Sequence, residues 1–258
     1  MRAINLLYLL RPEHFPIFTI MLYFLGAFLI VLFGKNRILR NCIAFVATGL
    51  ALTLLILLVK PILIEGGLIA YWMGNRVPAG GYAIGIALEV DALSLFFGLL
   101  VATAVFVSCL YSFSYMSEDD NEPQYYTLFL MLAGGVMGLV LSGDLFNMFI
   151  MVEILTFAAV ALTAFRNRVT GALEAAFKYL VVGCIGSTCI LAGTILLYQQ
   201  AHTLNLAQLP PSSLCARAAT SPSPSRCCSS ASAPRPSSCP SIPWRPTPTA
   251  RLPRPCRC

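Results

Sequence analysis

Up to residue 210, apolar residues run in blocks too long for the core of an ordinary soluble domain. Six blocks stand out, at about 15–33, 42–59, 93–111, 126–141, 145–165 and 173–198. About 20 apolar residues cross the hydrocarbon core of a bilayer as a helix, so each block reads as a membrane span. Short segments bearing charge, Gly or Pro separate most of them. The pattern predicts an all-α fold, a polytopic transmembrane bundle occupying residues 1–210. Between the second and third blocks lies a longer connection with Gly66–Gly67, Trp72, Gly74, Pro78 and Gly80–Gly81. Gly and Pro there mark turns. Within it, Tyr82–Val90 alternates as a short strand or hairpin, and Trp72 suits an interfacial anchor. Ile4–Leu10 reads as a short interfacial helix. Arg11 and Glu13 interrupt before the first long block and no small-residue cleavage site follows it, which argues against a signal peptide.

Lys and Arg beside the spans set the expected orientation. Lys35, Arg37 and Arg40 follow the first span, and Arg166 and Arg168 follow the fifth. Alternation puts these two connections on one side, the cytoplasmic side. The connection after the third span belongs there too, yet Ser117–Glu122 is acidic. Arg2 and Arg11 also count weakly against an outward N-terminus.

Charge changes the picture of the end of the chain. Only 11% of the 258 residues are charged, against about 25% in an average soluble domain. The net charge of +6 divides unevenly, with −1 over residues 1–210 and +7 over residues 211–258. Those last 48 residues also hold six of the 10 Cys and eleven of the 17 Pro. The basic charge therefore belongs to a tail and does not make the protein a nucleic-acid binder. The tail cysteines form no C-x-x-C pair and have no His beside them, so they do not read as a metal site. A disordered basic tail is one reading of this composition. Translation of a GC-rich gene in the wrong frame is another.

Two ionisable residues fall inside the blocks. Glu153 is near the middle of the fifth, and Lys178 is about a turn and a half inside the sixth. A charge at a helix centre costs about 2.5–3.5 kcal/mol even on the lenient insertion scale, and such residues generally mark an ion or proton path. Two other readings stay open. Glu153 and Lys178 could form a buried pair that only ties two helices together, and Lys178 could snorkel to the interface. Burial raises a carboxylate's pKa and lowers an ammonium's, while each partner pushes the other back, so such a pair suits proton work. Asp144 and Glu174 sit at opposite membrane edges. Asp144 is placed to cap the fifth helix or to serve ion access. Glu174 is spaced for an i,i+4 pair with Lys178. Asp91 reads as a cap of the third helix.

Ser142–Phe165, SGDLFNMFIMVEILTFAAVALTAF, resembles the signature of the antiporter-like membrane subunits. That family includes large subunits of Mrp-type cation/proton antiporters and proton-pumping subunits of complex I and membrane-bound hydrogenases. GALEAAFKYLVVGCIGSTCILAGTILLY resembles its sixth helix, and YWMGNRVPAG and ALEVDALSLFF its hairpin and third helix. The wording of the fifth helix is most similar to the branch of MrpD-type antiporter proteins. The resemblance implies an N-terminal portion of an inverted-repeat subunit. It implies Glu153 as the proton-channel glutamate and Lys178 in the polar axis, with Asp144 and Glu174 accessory. It implies other membrane subunits as partners, protons as the transported ion and sodium as a coupled one, in a bacterial inner membrane. Such a subunit holds no cofactor, and nothing in the chain resembles an iron–sulfur or nucleotide motif. No catalytic residue, metal or cofactor is expected. Alternatives are a complex I-like NADH:quinone oxidoreductase or hydrogenase subunit, and a non-transporting scaffold.

In the family, the glutamate's main partner is a lysine on a broken seventh helix, which the literal sequence does not contain. A displaced frame accounts for this. Taking the third base of each codon with the first two of the next, Cys239–Ala250 permits PFHTLAPDAHS. That resembles the family's PFH-x-x-x-PDAH motif after the seventh-helix break. Pro234–Arg235 permits a hidden lysine five codons before it. A frameshift near Leu209–Pro211 is the expectation, with residues 211–258 non-native.

Overall fold

The computed structural model describes residues 14–34, 36–64, 66–73, 85–116, 122–165 and 171–209. The chain divides into two units, Met1–Ala218 and Ala219–Cys258, and all described residues belong to the first. The expected interfacial helix Ile4–Leu10, the loop arginines Arg166 and Arg168, and the tail 211–258 lie outside the described residues.

Six helices long and apolar enough to cross a membrane are present among the described residues. They are α1 (Phe15–Phe33), α2 (Arg37–Val59), α3 (Ala92–Tyr115), α4 (Glu122–Val140), α5 (Leu145–Thr163) and α6 (Ala172–Ala201). All six expected spans are found, and the protein is a multi-pass membrane protein. Several helices outrun their apolar blocks. α2 begins at Arg37 instead of residue 42, and α4 at Glu122 instead of residue 126. Arg37, Arg40 and Glu122 were expected in connections, but they lie in the first turns of these helices. There they pair with one another. Glu122 pairs with Arg40 and, at 3.4 Å, with Arg37. The acidic residue that disagreed with the charge rule is thus drawn to the arginines of the same membrane end.

Beyond Val59 the helix widens into a π-turn, Lys60–Ile64. Pro61 has no N–H to continue the α-helical ladder. The chain then leaves through Gly66, whose φ of 65° favours a residue without Cβ. β1 (Ile69–Trp72) pairs antiparallel with β2 (Ala87–Val90), with Ile69 opposite Val90 and Trp72 opposite Ala87. The expected strand Tyr82–Val90 is found over its second half, and residues 82–84 lie outside the described residues. Trp72, expected as an interfacial anchor, is the last residue of β1.

α1–α4 form a core around Tyr23, Ile30, Leu55, Leu95, Leu130 and Met137, all fully buried. Small residues bring the backbones together, as in membrane bundles generally. A Cβ on Gly26 would stand 3.0 Å from that of Ala47. α5 docks on α4 through two glycines. A Cβ on Gly135 would stand 3.1 Å from the Leu155 amide nitrogen, and one on Gly138 would stand 2.5 Å from Met151 Sδ. Backbone cannot yield, whereas a methionine side chain can. Gly135→Ala should therefore destabilise the protein by about 1–3 kcal/mol, and Gly138→Ala by clearly less. Thermal unfolding of the two variants in the same lipid checks the order, and equal shifts would sink it.

Candidate functional site

At the hairpin end, two isolated bridges extend the small sheet. Leu88 bridges Ser142, and Asp144 bridges Asn205. The Gly143 N–H donates to the Ala87 carbonyl at 3.0 Å and the Glu89 N–H to the Leu141 carbonyl at 3.1 Å. On the other edge, the Leu145 N–H donates to Leu204 and the Leu206 N–H to Gly143, both at 3.0 Å. Ser142–Asp144 is therefore bridged to β2 on one side and to the segment around Asn205 on the other. Gly143 fits because a Cβ there would stand 2.7 Å from Glu89 Cγ. This layer fixes the start of α5 against the end of α6.

Asp144, expected at a membrane edge, caps α5. Its Oδ2 accepts from the Asn147 N–H at 3.1 Å, and the residue is buried. Burial pushes its carboxyl above the usual carboxylate range, against the pull of the Asn147 and Phe146 N–H groups. Asp91 caps α3 in a reciprocal box. It accepts from the Ser94 N–H at 2.7 Å, and the Ser94 hydroxyl accepts from the Asp91 N–H at 2.8 Å. These bonds, the Ser94 N–H first, hold its carboxyl below the usual range.

Glu153 lies two turns further along α5 and is half-buried. Its position is about 200° around the helix from Met151, which faces α4. The nearest fixed point is Thr156, three residues on. There α6 approaches so closely that a Cβ on Gly183 would stand 2.6 Å from Thr156 Cγ2. With Thr156 and Gly183 at one level, Glu153 lies about 4.5 Å toward the hairpin end, because α5 starts there. Lys178, five residues before Gly183 on an antiparallel helix, lies about 7.5 Å the other way. The two charges differ in depth by about 12 Å, too far for an ion pair.

Lys178 has another partner. Its Nζ donates to Glu174 Oε1 at 2.6 Å, the i,i+4 pairing that the spacing allows. Their side chains are 72% and 69% exposed in this chain. The structure therefore brings Lys178 to Glu174 and not to Glu153. Among the described residues no side chain hydrogen-bonds or ion-pairs with Glu153, and no group of three or more metal-ligating side chains occurs.

Sequence reasoning missed several polar residues. Glu89 and Asn205 meet at 3.4 Å across 116 residues of chain. Asn205 also accepts the Ala207 N–H at 2.8 Å. A lone Asn after a long apolar helix signals a turn at most. The Arg40–Glu122 pair is hidden for a different reason: both residues read as loop charge.

A six-span bundle with a carboxylate within a span and a stitched hairpin defines a polytopic helical membrane protein. The comparisons give the family. Residues 76–126 match the family described as NADH-ubiquinone oxidoreductase (complex I), chain 5 N-terminus. Residues 142–219 match NADH:quinone oxidoreductase/Mrp antiporter, TM. The chain belongs to this family of antiporter-like membrane subunits. It is 32% identical over 143 residues to the N-type subunit of the NADH-quinone oxidoreductase of Rubrobacter xylanophilus, covering 55% of the chain and 28% of the relative. It is 30% identical over 200 residues to the D-type subunit of the Na(+)/H(+) antiporter of Bacillus subtilis, covering 76% of the chain and 39% of that relative. Among solved structures, an archaeal membrane-bound sulfane sulfur reductase matches with a TM-score of 0.68 at 32% identity, over 75% of this chain and 39% of that one. The Mrp complex of a Dietzia species shares the fold, with a TM-score of 0.65 at 21% identity over 76% of this chain and 36% of that one. The chain thus spans well under half the length of these relatives.

Proposed function

We propose that the chain is the front part of a proton-translocating membrane subunit in a multisubunit cation/proton antiporter of the bacterial inner membrane. The observation that carries this reading is Glu153, a carboxylate within an apolar span with no hydrogen-bond or ion-pair partner among the described residues. Holding a lone carboxylate there is costly, and a side chain that takes and releases a proton offsets that cost. The exposed faces of α5 and α6 support the same reading. Only 11% of the apolar stretch of each is buried, against 39% for α1 and α4. In a full-length subunit the remaining helices would cover that side and bring Glu153 a cationic partner. Lys178 and Glu174 then act as a polar pair toward the arginine end, and Asp144 as the cap that sets the start of α5. Protons are the transported ion, sodium a coupled cation, and other membrane subunits the partners.

A second reading, a subunit of a complex I-like or hydrogenase complex, is favoured by the relatedness to the Rubrobacter protein. The scaffold reading requires only that Glu153 be dispensable. Inverted membrane vesicles carrying the full-length subunit with its neighbours separate these. Collapse of a pH gradient on adding sodium supports the antiporter. Dependence of proton movement on an electron donor supports the redox complex.

The displaced-frame reading of residues 211–258 belongs to the same proposal. The family match runs to residue 219, past Leu209–Pro211, and so lends this reading no support; the reading rests on the codon pattern of the tail. Resequencing the gene across codons 205–258 should reveal an unbroken second frame encoding PFH…PDAH. A confirmed stop soon after Cys258 in every frame would overturn it.

A further inference from the structure

We propose that Gly183 is a positioning residue for Glu153, acting through Thr156; this rests on reading Glu153 as the proton carboxylate. Carbon atoms in good contact lie about 3.5–4.0 Å apart. A Cβ on residue 183 would stand 2.6 Å from Thr156 Cγ2, so even alanine forces a shift of about 1 Å. The threonine cannot turn aside cheaply. Its hydroxyl donates to the Val152 carbonyl at 2.8 Å, and swinging Cγ2 away breaks that bond. The load therefore falls on the distance between α5 and α6.

Glu153 lies beside this contact, since residues three apart are neighbours on a helix surface. α5 is already pinned on its other side by the Leu155 backbone against Gly135 and at its start by the strand layer. α5 has little freedom to follow a displaced α6, so a gap opens next to Glu153. By contrast, Cβ atoms on Gly186 and Gly193, further along α6, would meet nothing within 4 Å. The close approach is local to the level of Thr156, about one turn from the carboxylate.

The test uses the full 258-residue chain in lipid nanodiscs. Modification of Glu153 by a water-soluble carbodiimide is followed by mass spectrometry and expressed relative to Asp91 in the same molecule. Gly183→Ala should raise the relative rate at Glu153 several-fold. Adding Thr156→Ser, which keeps the hydroxyl and removes Cγ2, should return it to the parent value. An unchanged rate in Gly183→Ala, or a change that Thr156→Ser does not reverse, overturns the proposal. If Gly183→Ala alone fails to fold, the double variant decides. Parent-like folding and rate support the contact, and failure of both overturns it. These rates are independent of transport, so a dispensable Glu153 in transport would refute its proton role without altering them.

Discussion

Replacing Glu153 with Ala or Gln in the full-length subunit should abolish the proposed proton-coupled transport while the complex still assembles. Glutamine keeps the volume and the hydrogen-bonding capacity but cannot exchange a proton. The proton role therefore predicts that Gln fails as completely as Ala, whereas a packing role predicts that Gln is tolerated. Assembly should survive because Glu153 is half-buried and forms no polar contact with another described residue. Removing it leaves no orphaned partner within this chain. Lys178→Gln provides the contrast. Its partner Glu174 lies one turn away on the same helix, so the pair ties no two helices together and its loss should leave assembly intact. Vesicle transport assays on Glu153→Gln, with subunit content checked by immunoblot, decide the matter. Wild-type transport with normal assembly refutes the role of the carboxylate.

The largest loss of stability is expected at the other end of the bundle. Glu122→Ala should destabilise the chain by about 3–5 kcal/mol, because it strands a buried cation. Arg40 is 2% exposed, donates to the Gly34 carbonyl at 3.2 Å and lies 5.5 Å from the centre of the Tyr126 ring. None of these neighbours replaces a carboxylate. The melting temperature should fall by roughly 6–20 °C. Replacing both members, Arg40→Met with Glu122→Leu, should recover most of the loss, since an apolar pair of similar size removes both buried charges. Melting of the single and double variants in the same lipid tests this. A double variant as unstable as the single one would show that the pair has no such electrostatic role.

The two sites differ in how readily the sequence disclosed them. The six helices were legible because a span must supply about 20 apolar residues, a demand few soluble elements make. The caps at Asp91 and Asp144 were legible because Asp before an apolar block is a local signal. The starts of α2 and α4 were not. Arg40 and Glu122 look like loop residues until each is known to have the other, and that pairing joins helices distant in the chain. The depth of Lys178 relative to Glu153 was illegible for a similar reason. It depends on where Gly183 meets Thr156, and no periodicity within one helix reveals a register between two. The i,i+4 partner of Lys178 was visible because it lies on the same helix.

The strand layer at the hairpin end also bears on biogenesis. Its last segment, the turn around Asn205, follows the sixth helix, while Glu89, which Asn205 reaches, precedes the third. During synthesis, Ser142–Asp144 can pair with β2 on one edge only and must wait for the sixth helix to cross the membrane. Contacts so distant in sequence close late, because the entropy of ordering the intervening chain is lost before they form. Ribosomes that stop before Thr203 would release a nascent chain whose fifth helix is anchored to the hairpin but not to the sixth. That edge stays half-finished until the few residues just after α6 have emerged, so closure of this layer marks completion of the six-helix bundle.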